Sequence, residues 1–242
     1  FSTPTVSSQT QYHSMIDGTL ELVAGSLLDV DYHTKIASNI KISGDSNIDV
    51  AQDMTLTYSG DAIDVKTYQL TFLGKGTLLN SNAVLLSNSD GLIVFADDIN
   101  VALVKVEAGS SSGKGIQVKS ANAKISNLKL VADLIFNFDS ELYVFNIENL
   151  VVSSAATLST EGSRGVVFIT ELLQENQDAL LTLHNITAKV QEEIELSFKN
   201  QIVMTDSANF EVVGGLTFNL TGTMDFRGQL TANINLMGGT MC

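Results

Sequence analysis

Short stretches of alternating apolar and polar residues dominate the sequence and limit what it can fold into. Examples are Ile40-Lys41-Ile42, Tyr68-Gln69-Leu70-Thr71-Phe72 and Ile116-Gln117-Val118. Every second side chain of a strand lies on the same face, so each stretch can bury one face of a short β-strand. Residues that favour tight turns separate the stretches, as in Ser43-Gly44-Asp45-Ser46-Asn47. The pattern predicts an all-β protein.

The predicted strands recur at a regular spacing. Their centres return about every 20–24 residues, with one or two further short strands between them. The centres are Lys41, Asp64, Leu85, Lys105, Lys129 and Val151. A β-solenoid needs this arrangement, because each turn carries two or three strands and lies on the previous turn. We therefore predict a parallel β-solenoid (β-helix) of about ten rungs. The alternative is an antiparallel β-sandwich or jelly roll, which also contains many short strands.

The domain boundaries follow from where the alternation begins and ends. Residues 20–236 are predicted to form a single solenoid domain. Residues 1–19 are polar and irregular, and are expected to form an N-terminal arm. Residues 237–242 are expected to form a C-terminal tail. Thr170–Asp178 is rich in helix formers and is predicted to be a helical turn or an inserted loop.

One part of the pattern resembles a known group of proteins. Ile40-Lys41-Ile42-Ser43-Gly44 and the following Asn47-Ile48-Asp49-Val50-Ala51 resemble the rungs of haemagglutinin-type and pectin-lyase-like right-handed β-helix proteins. The resemblance covers most of residues 20–236, but only as a pattern of hydrophobicity. It implies a right-handed parallel β-helix, and it assigns no functional residue.

The charge of the chain excludes some partners and suggests another. The sequence has 27 acidic and 13 basic residues and a formal net charge of −14. Such a chain has little positive charge with which to release counterions from a phosphate backbone, which argues against nucleic acid as a partner. Basic residues are concentrated in residues 105–129, where there are five lysines: Lys105, Lys114, Lys119, Lys124 and Lys129. In a solenoid they would form a basic collar between acidic ends. The collar is predicted either to face an acidic band of another copy or to be a solvated surface.

The N-terminus favours a secreted protein, and two glycosylation motifs would matter in that case. The chain starts at Phe1, which is consistent with a processed N-terminus, and has no apolar run long enough for a transmembrane helix. Two N-x-T motifs make Asn185 and Asn219 candidate glycosylation sites. The single cysteine, Cys242, is expected either to be a spare terminal thiol or to link two chains. We expect a secreted, extracellular or cell-surface protein.

Motifs for catalysis are weak. Gly109-Ser110-Ser111-Ser112-Gly113 matches G-x-S-x-G, but the residues after it are predicted to form a strand where a nucleophile elbow requires a helix. Acidic pairs such as Asp61 with Asp64, Asp97 with Asp98, and Asp139 with Glu141 are interpreted as turn residues. Calcium is the one cofactor considered, with Asp90, Asp97 and Asp98 as candidate ligands, because it needs only several oxygens at a bend. A metal site at Asp29, Asp31 and His33 is the less favoured alternative.

These observations favour a non-enzymatic structural protein that self-assembles into a fibre, sheath or surface layer. Its partners would then be copies of itself, as a homo-oligomer or polymer. An adhesin or carbohydrate-binding β-helix, with a glycan as partner, is the alternative. A polysaccharide lyase or hydrolase is a second alternative.

Overall fold

The computed structural model describes most of the chain. The described residues are 14–16, 18–80, 82–86, 90–108, 115–121, 123–190, 196–198, 202–205, 207–212, 217–220, 223–224, 229–231, 235–236 and 240–241. They contain strands and turns but no helix, and therefore none that is long and apolar enough to cross a membrane.

The strands are short, as the alternation predicts. They are β1 (Ser14–Ile16), β2 (Leu20–Leu22), β3 (Ser26–Val30), β4 (Thr34–Ile36), β5 (Ile40–Ile42), β6 (Ser46–Val50), β7 (Thr55–Tyr58), β8 (Ile63–Asp64), β9 (Gln69–Gly74), β10 (Thr77–Asn80), β11 (Ala83–Leu86), β12 (Leu92–Phe95), β13 (Asn100–Ala108), β14 (Ile116–Val118), β15 (Lys124–Leu130), β16 (Leu134–Phe138), β17 (Val144–Val152), β18 (Ala156–Gly162), β19 (Val166–Gln174), β20 (Leu181–His184), β21 (Thr187–Val190), β22 (Leu196–Phe198), β23 (Ile202–Thr205), β24 (Asn209–Val212), β25 (Thr217–Leu220), β26 (Thr223–Met224), β27 (Gln229–Thr231), β28 (Asn235–Leu236) and β29 (Thr240–Met241).

The strands stack in three columns, and all of the paired strands in the described residues are parallel. Column 1 follows the order β1-β4-β7-β10-β13-β15-β17-β19-β21-β24-β27. Column 2 starts with β2, β5, β8 and β11 and continues through the second halves of β13, β15, β17 and β19. Column 3 runs from β3 through β6, β9, β12, β14, β16, β18 and β20 to β23. The predicted parallel β-solenoid is confirmed, and the antiparallel sandwich is wrong.

The described residues amount to about seven turns rather than the expected ten. Each complete turn passes through columns 1, 2 and 3 before the next turn begins above it. Several turns, both at the ends and between them, include residues that the structure does not describe. The count of complete turns is therefore lower than the sequence spacing suggests.

The core is a stack of apolar side chains that every column turns inwards. In β6 the alternate residues Ser46, Ile48 and Val50 are buried, while the residues between them are half-buried. Phenylalanine rings link separate turns through the centre. Phe145 lies 5.0 Å from Phe95 and 5.3 Å from Phe136, measured between ring centroids. Hydrophobic burial along the axis thus holds each turn to its neighbours.

Polar corner residues also tie one turn to the next. Asp45 Oδ1 accepts a hydrogen bond from the Gln69 backbone N–H at 2.8 Å, and Asp133 Oδ1 accepts one from Thr157 N–H at 2.7 Å. Both aspartates precede a column 3 strand and bind the first residues of the strand one turn later. Gly115 allows an equally close approach, because a Cβ there would lie 2.3 Å from the Ile135 carbonyl oxygen. Short polar side chains and glycine suit these corners since neighbouring turns lie about 4.8 Å apart.

The structure differs from the sequence-based expectation at one internal segment, and it describes part of both terminal segments. The helical turn expected at Thr170–Asp178 is wrong, because β19 continues to Gln174 and the remaining residues form a loop. The helix-forming residues up to Gln174 adopt strand conformation because they pair with β17. Within the stretch assigned to the N-terminal arm, Ser14–Ile16 pairs with β4. Within the stretch assigned to the tail, Thr240–Met241 pairs with β26. The rest of both stretches lies outside the described residues, apart from residues 18 and 19.

Candidate functional site

The N-terminal end of the described solenoid exposes apolar side chains. Leu28 faces the core like its register partner Ile48, yet Leu28 is only half-buried while Ile48 is buried. Leu27 is 54% exposed. Its register partner on the next turn is the polar Asn47, so the apolar side chain at this position is found on the first turn and not on the next. Tyr32, just after β3, is 63% exposed. Within the described chain, nothing covers this end of the core.

The backbone at the same end has an open edge. β3 pairs with β6 on one side, and no described strand lies on its other side. β2 pairs only with β5, and β1 only with β4, within the same set of residues. An edge strand presents unpaired N–H and C=O groups and is a template for another strand. We call this surface, formed by β2, β3, Val23 and Tyr32, the N-terminal face.

Acidic side chains surround the N-terminal face. Glu21 accepts hydrogen bonds from Lys41 Nζ at 2.8 Å and from the Ser43 hydroxyl, and these contacts hold the pKa of Glu21 below its ordinary value. Asp29 and Asp31 are exposed. Burial, and then the neighbouring Asp29 carboxylate, raise the pKa of Asp49 one turn further on. Two such faces would repel each other, so the face suits a partner surface of different charge.

The predicted basic collar is only partly a free surface. Lys119 and Lys124 are exposed. Lys129 is half-buried, and its Nζ lies 3.3 Å from Glu175 Oε1, two turns along the stack. Lys105 lies in β13, but its side chain is outside the described part, and Lys114 is outside it altogether. One collar lysine thus bridges to an acid of its own chain.

The candidate calcium ligands take part in hydrogen bonds between turns. Asp97 Oδ2 accepts from the Gly74 N–H at 3.2 Å, one turn earlier, and Asp98 Oδ1 accepts from the Ser120 hydroxyl at 2.9 Å, one turn later. Asp90 lies at a separate corner and is exposed. Among the described residues, no three His, Cys, Asp or Glu side chains are arranged to hold a metal ion. Calcium binding at these positions stays a prediction.

The glycosylation candidates lie in different surroundings. Asn185 follows β20 with a φ of 52°, and its Nδ2 donates to the Thr160 carbonyl oxygen at 3.3 Å. A glycan on Asn185 would have to displace that hydrogen bond. Asn219 lies in β25, in register with Ser197, and its side chain is outside the described part. Cys242 is also outside it. Use of either site, or of the thiol, remains a prediction.

Three of the carboxylates considered for catalysis accept hydrogen bonds within a turn or between neighbouring turns. Asp61 Oδ2 accepts from Asn39 Nδ2 at 2.7 Å, and Asp139 Oδ1 accepts from Gln117 Nε2 at 3.0 Å. Asp64 Oδ1 accepts from the Lys66 N–H at 2.9 Å within its own turn. His33 Nδ1 is buried without a hydrogen-bond partner in the described structure. Residues 109–113 lie outside that structure. The contacts of these carboxylates are those expected of turn residues.

Sequence reasoning missed a groove on the outer surface. β15, β17 and β19 each bend between columns 1 and 2, where one residue per turn, Ser126, Glu148 or Thr170, separates two paired stretches of the ladder without a change of register. A groove of about 420 Å³ follows this bend. It is lined by Asn100, Lys124, Ile125, Ser126, Asn146, Ile147, Glu148 and Thr170. The available signal was a recurring pair of non-apolar residues that breaks the alternation, as in Glu148-Asn149.

Comparison with protein families, with curated proteins and with solved structures gives no significant match.

Proposed function

We propose that the chain is a non-enzymatic, secreted structural protein that associates with copies of itself along the solenoid axis. The observation that supports this proposal is the N-terminal face, where exposed Leu27 and half-buried Leu28 adjoin the open edge of β3. Another strand at this edge would satisfy its backbone groups and cover the end of the core.

The charge distribution favours head-to-tail association. Two N-terminal faces would bring Asp29 and Asp31 of each copy together, which is unfavourable, whereas Glu21 is paired with Lys41 of its own chain. A head-to-tail contact uses two different surfaces, and when its rotation does not close it produces a filament. A fibre, sheath or layer built from such filaments is the expected form of the assembly.

The decisive experiment changes the edge strand and compares it with a matched exposed site. Leu27→Lys places a charge on β3, and Leu142→Lys places the same charge at Leu142, which is 86% exposed in a loop before β17. We expect wild-type protein to form oligomers or filaments in sedimentation and negative-stain microscopy. Leu27→Lys should weaken association about tenfold or more, because charge on an edge strand opposes pairing.

The control variant Leu142→Lys should associate like the wild type. The proposal fails if wild-type protein stays monomeric at high concentration across salt and pH. It also fails if both lysine variants associate as strongly as the wild type.

Carbohydrate binding is the second candidate function, and the polar groove at the bend of β15, β17 and β19 favours it. A lyase or hydrolase activity remains a prediction from the sequence alone. An assay of Asp97→Asn and Asp98→Asn variants on acidic polysaccharides would test it, and we expect no activity to lose.

A further inference from the structure

The groove at the bend has two parallel rows of polar side chains. The first row is Asn100, Lys124 and Asn146, which are direct register partners on three successive turns. The second row is Ser126, Glu148 and Thr170, also one from each of three turns. Because strands in a sheet lie about 4.8 Å apart, each row offers a polar group at a regular interval along the axis.

The chemistry of the lining is mixed and balanced in charge. Lys124 is exposed and supplies a positive donor, and Glu148 is exposed and supplies a negative acceptor. Asn100 and Asn146 supply amide groups, while Ser126 and Thr170 supply hydroxyls. One lysine against one glutamate leaves the groove without net charge, on a chain whose net charge is −14. Asn146 Nδ2 donates to the Ala123 carbonyl oxygen at 3.4 Å, and its Oδ1 can accept as well. A ligand rich in hydroxyl groups and free of charge can both donate to and accept from groups of these kinds.

An aromatic residue lies one turn beyond this row, next to the groove lining. Phe168 is the register partner of Asn146 on the next turn, and it is partly exposed, whereas Phe145 and Phe136 are buried. Aromatic rings present a broad apolar surface next to the polar row. Sugar rings combine an apolar face with hydroxyls at their edges, so they match such a surface.

From these features, we infer that the groove binds an extended neutral oligosaccharide along the solenoid axis. This inference rests on the carbohydrate-binding candidate above and is independent of self-association. The N-terminal face lies several turns away, so binding can be measured whether or not the chain polymerises.

The test uses full-length protein and defined sugars. Cellohexaose, mannohexaose and chitohexaose are the neutral probes, and an oligogalacturonate hexamer is the acidic probe. Binding would be measured by isothermal titration calorimetry and by saturation-transfer NMR. We expect saturable binding of at least one neutral hexamer. The double variant Lys124→Ala/Glu148→Ala should weaken it about tenfold or more, because it removes two charged hydrogen-bonding groups.

A matched double variant provides the control. Lys119→Ala/Glu161→Ala removes the same two charges at exposed positions outside the groove, and it should bind within about twofold of the wild type. The inference is overturned if no neutral hexamer binds, if only the acidic probe binds, or if the groove and control variants lose affinity equally. Because association of the Leu27→Lys variant is measured separately, failure here leaves the structural proposal standing, and the reverse also holds.

Discussion

Truncating Phe145 should destabilise the protein more than any surface change, because its ring joins three turns. The side chain is fully buried, and it contacts Phe95 and Phe136 with centroid distances of 5.0 and 5.3 Å. Phe-to-Ala changes in cores typically cost about 3–5 kcal/mol. Each ring pair contributes about 0.5–1.5 kcal/mol beyond burial. We therefore expect a loss near 5 kcal/mol, against a total stability of about 5–15 kcal/mol.

The assay is denaturant unfolding followed by far-ultraviolet circular dichroism. Leu142→Ala is the control, and it should change stability by less than about 0.5 kcal/mol, since Leu142 is 86% exposed. A double-mutant cycle of Phe95→Ala and Phe145→Ala should give a coupling near 1 kcal/mol. If Phe145→Ala costs no more stability than the control, or if the cycle shows no coupling, the two rings do not stabilise the fold through contact with each other.

Two further changes test polar groups within the stack. Tyr58 is buried, its hydroxyl donates to the Asp61 carbonyl at 2.6 Å, and it accepts from the Ile40 N–H at 3.2 Å. Tyr58→Phe should cost about 1–3 kcal/mol in denaturant unfolding, since both backbone groups lose this partner; an unchanged midpoint would contradict this. The raised pKa of Asp49, caused first by burial and then by Asp29, means that the folded state binds the proton more tightly than the unfolded state. The associated stability is present below the ordinary pKa of 3.8 and is lost as the pH rises through the folded pKa. As the pH rises through the folded-state pKa of Asp49, the Asp49→Asn variant should therefore become more stable relative to the wild type. If the denaturation midpoints of the two proteins change with pH in the same way, this prediction is contradicted.

The stacking order could be predicted from the sequence because the spacing of the strands reflects the length of a turn. The predicted centres Asp64 and Leu85 are direct register partners, and so are Lys129 and Val151. Lys105 is two positions away from this column of partners, because Glu107 pairs with Lys129. The error is small, since alternation identifies the buried face but tolerates a shift of two residues along a strand.

The candidate surfaces were harder to predict. The sequence predicts where along the solenoid axis the basic collar lies. It does not predict the direction in which each lysine side chain points around that axis. Lys129 therefore meets Glu175 two turns away, an ion pair that no local pattern indicates. The groove depends on Ser126, Glu148 and Thr170 interrupting the ladder at the same bend of three turns. That alignment exists only after the turns are stacked.

The sequence by itself determined that the chain is all-β and which side chains turn inwards, because the alternation of a strand is a local steric property. Its spacing also determined that strands return above one another. Only the tertiary structure decided that Phe145 meets Phe95 and Phe136 across separate turns. It also decided that Asp97 accepts a hydrogen bond from the previous turn while Asp98 accepts one from the next turn. Within the described residues, it leaves one edge of β3 open. Those contacts join residues from different turns, so they depend on how the whole stack is registered.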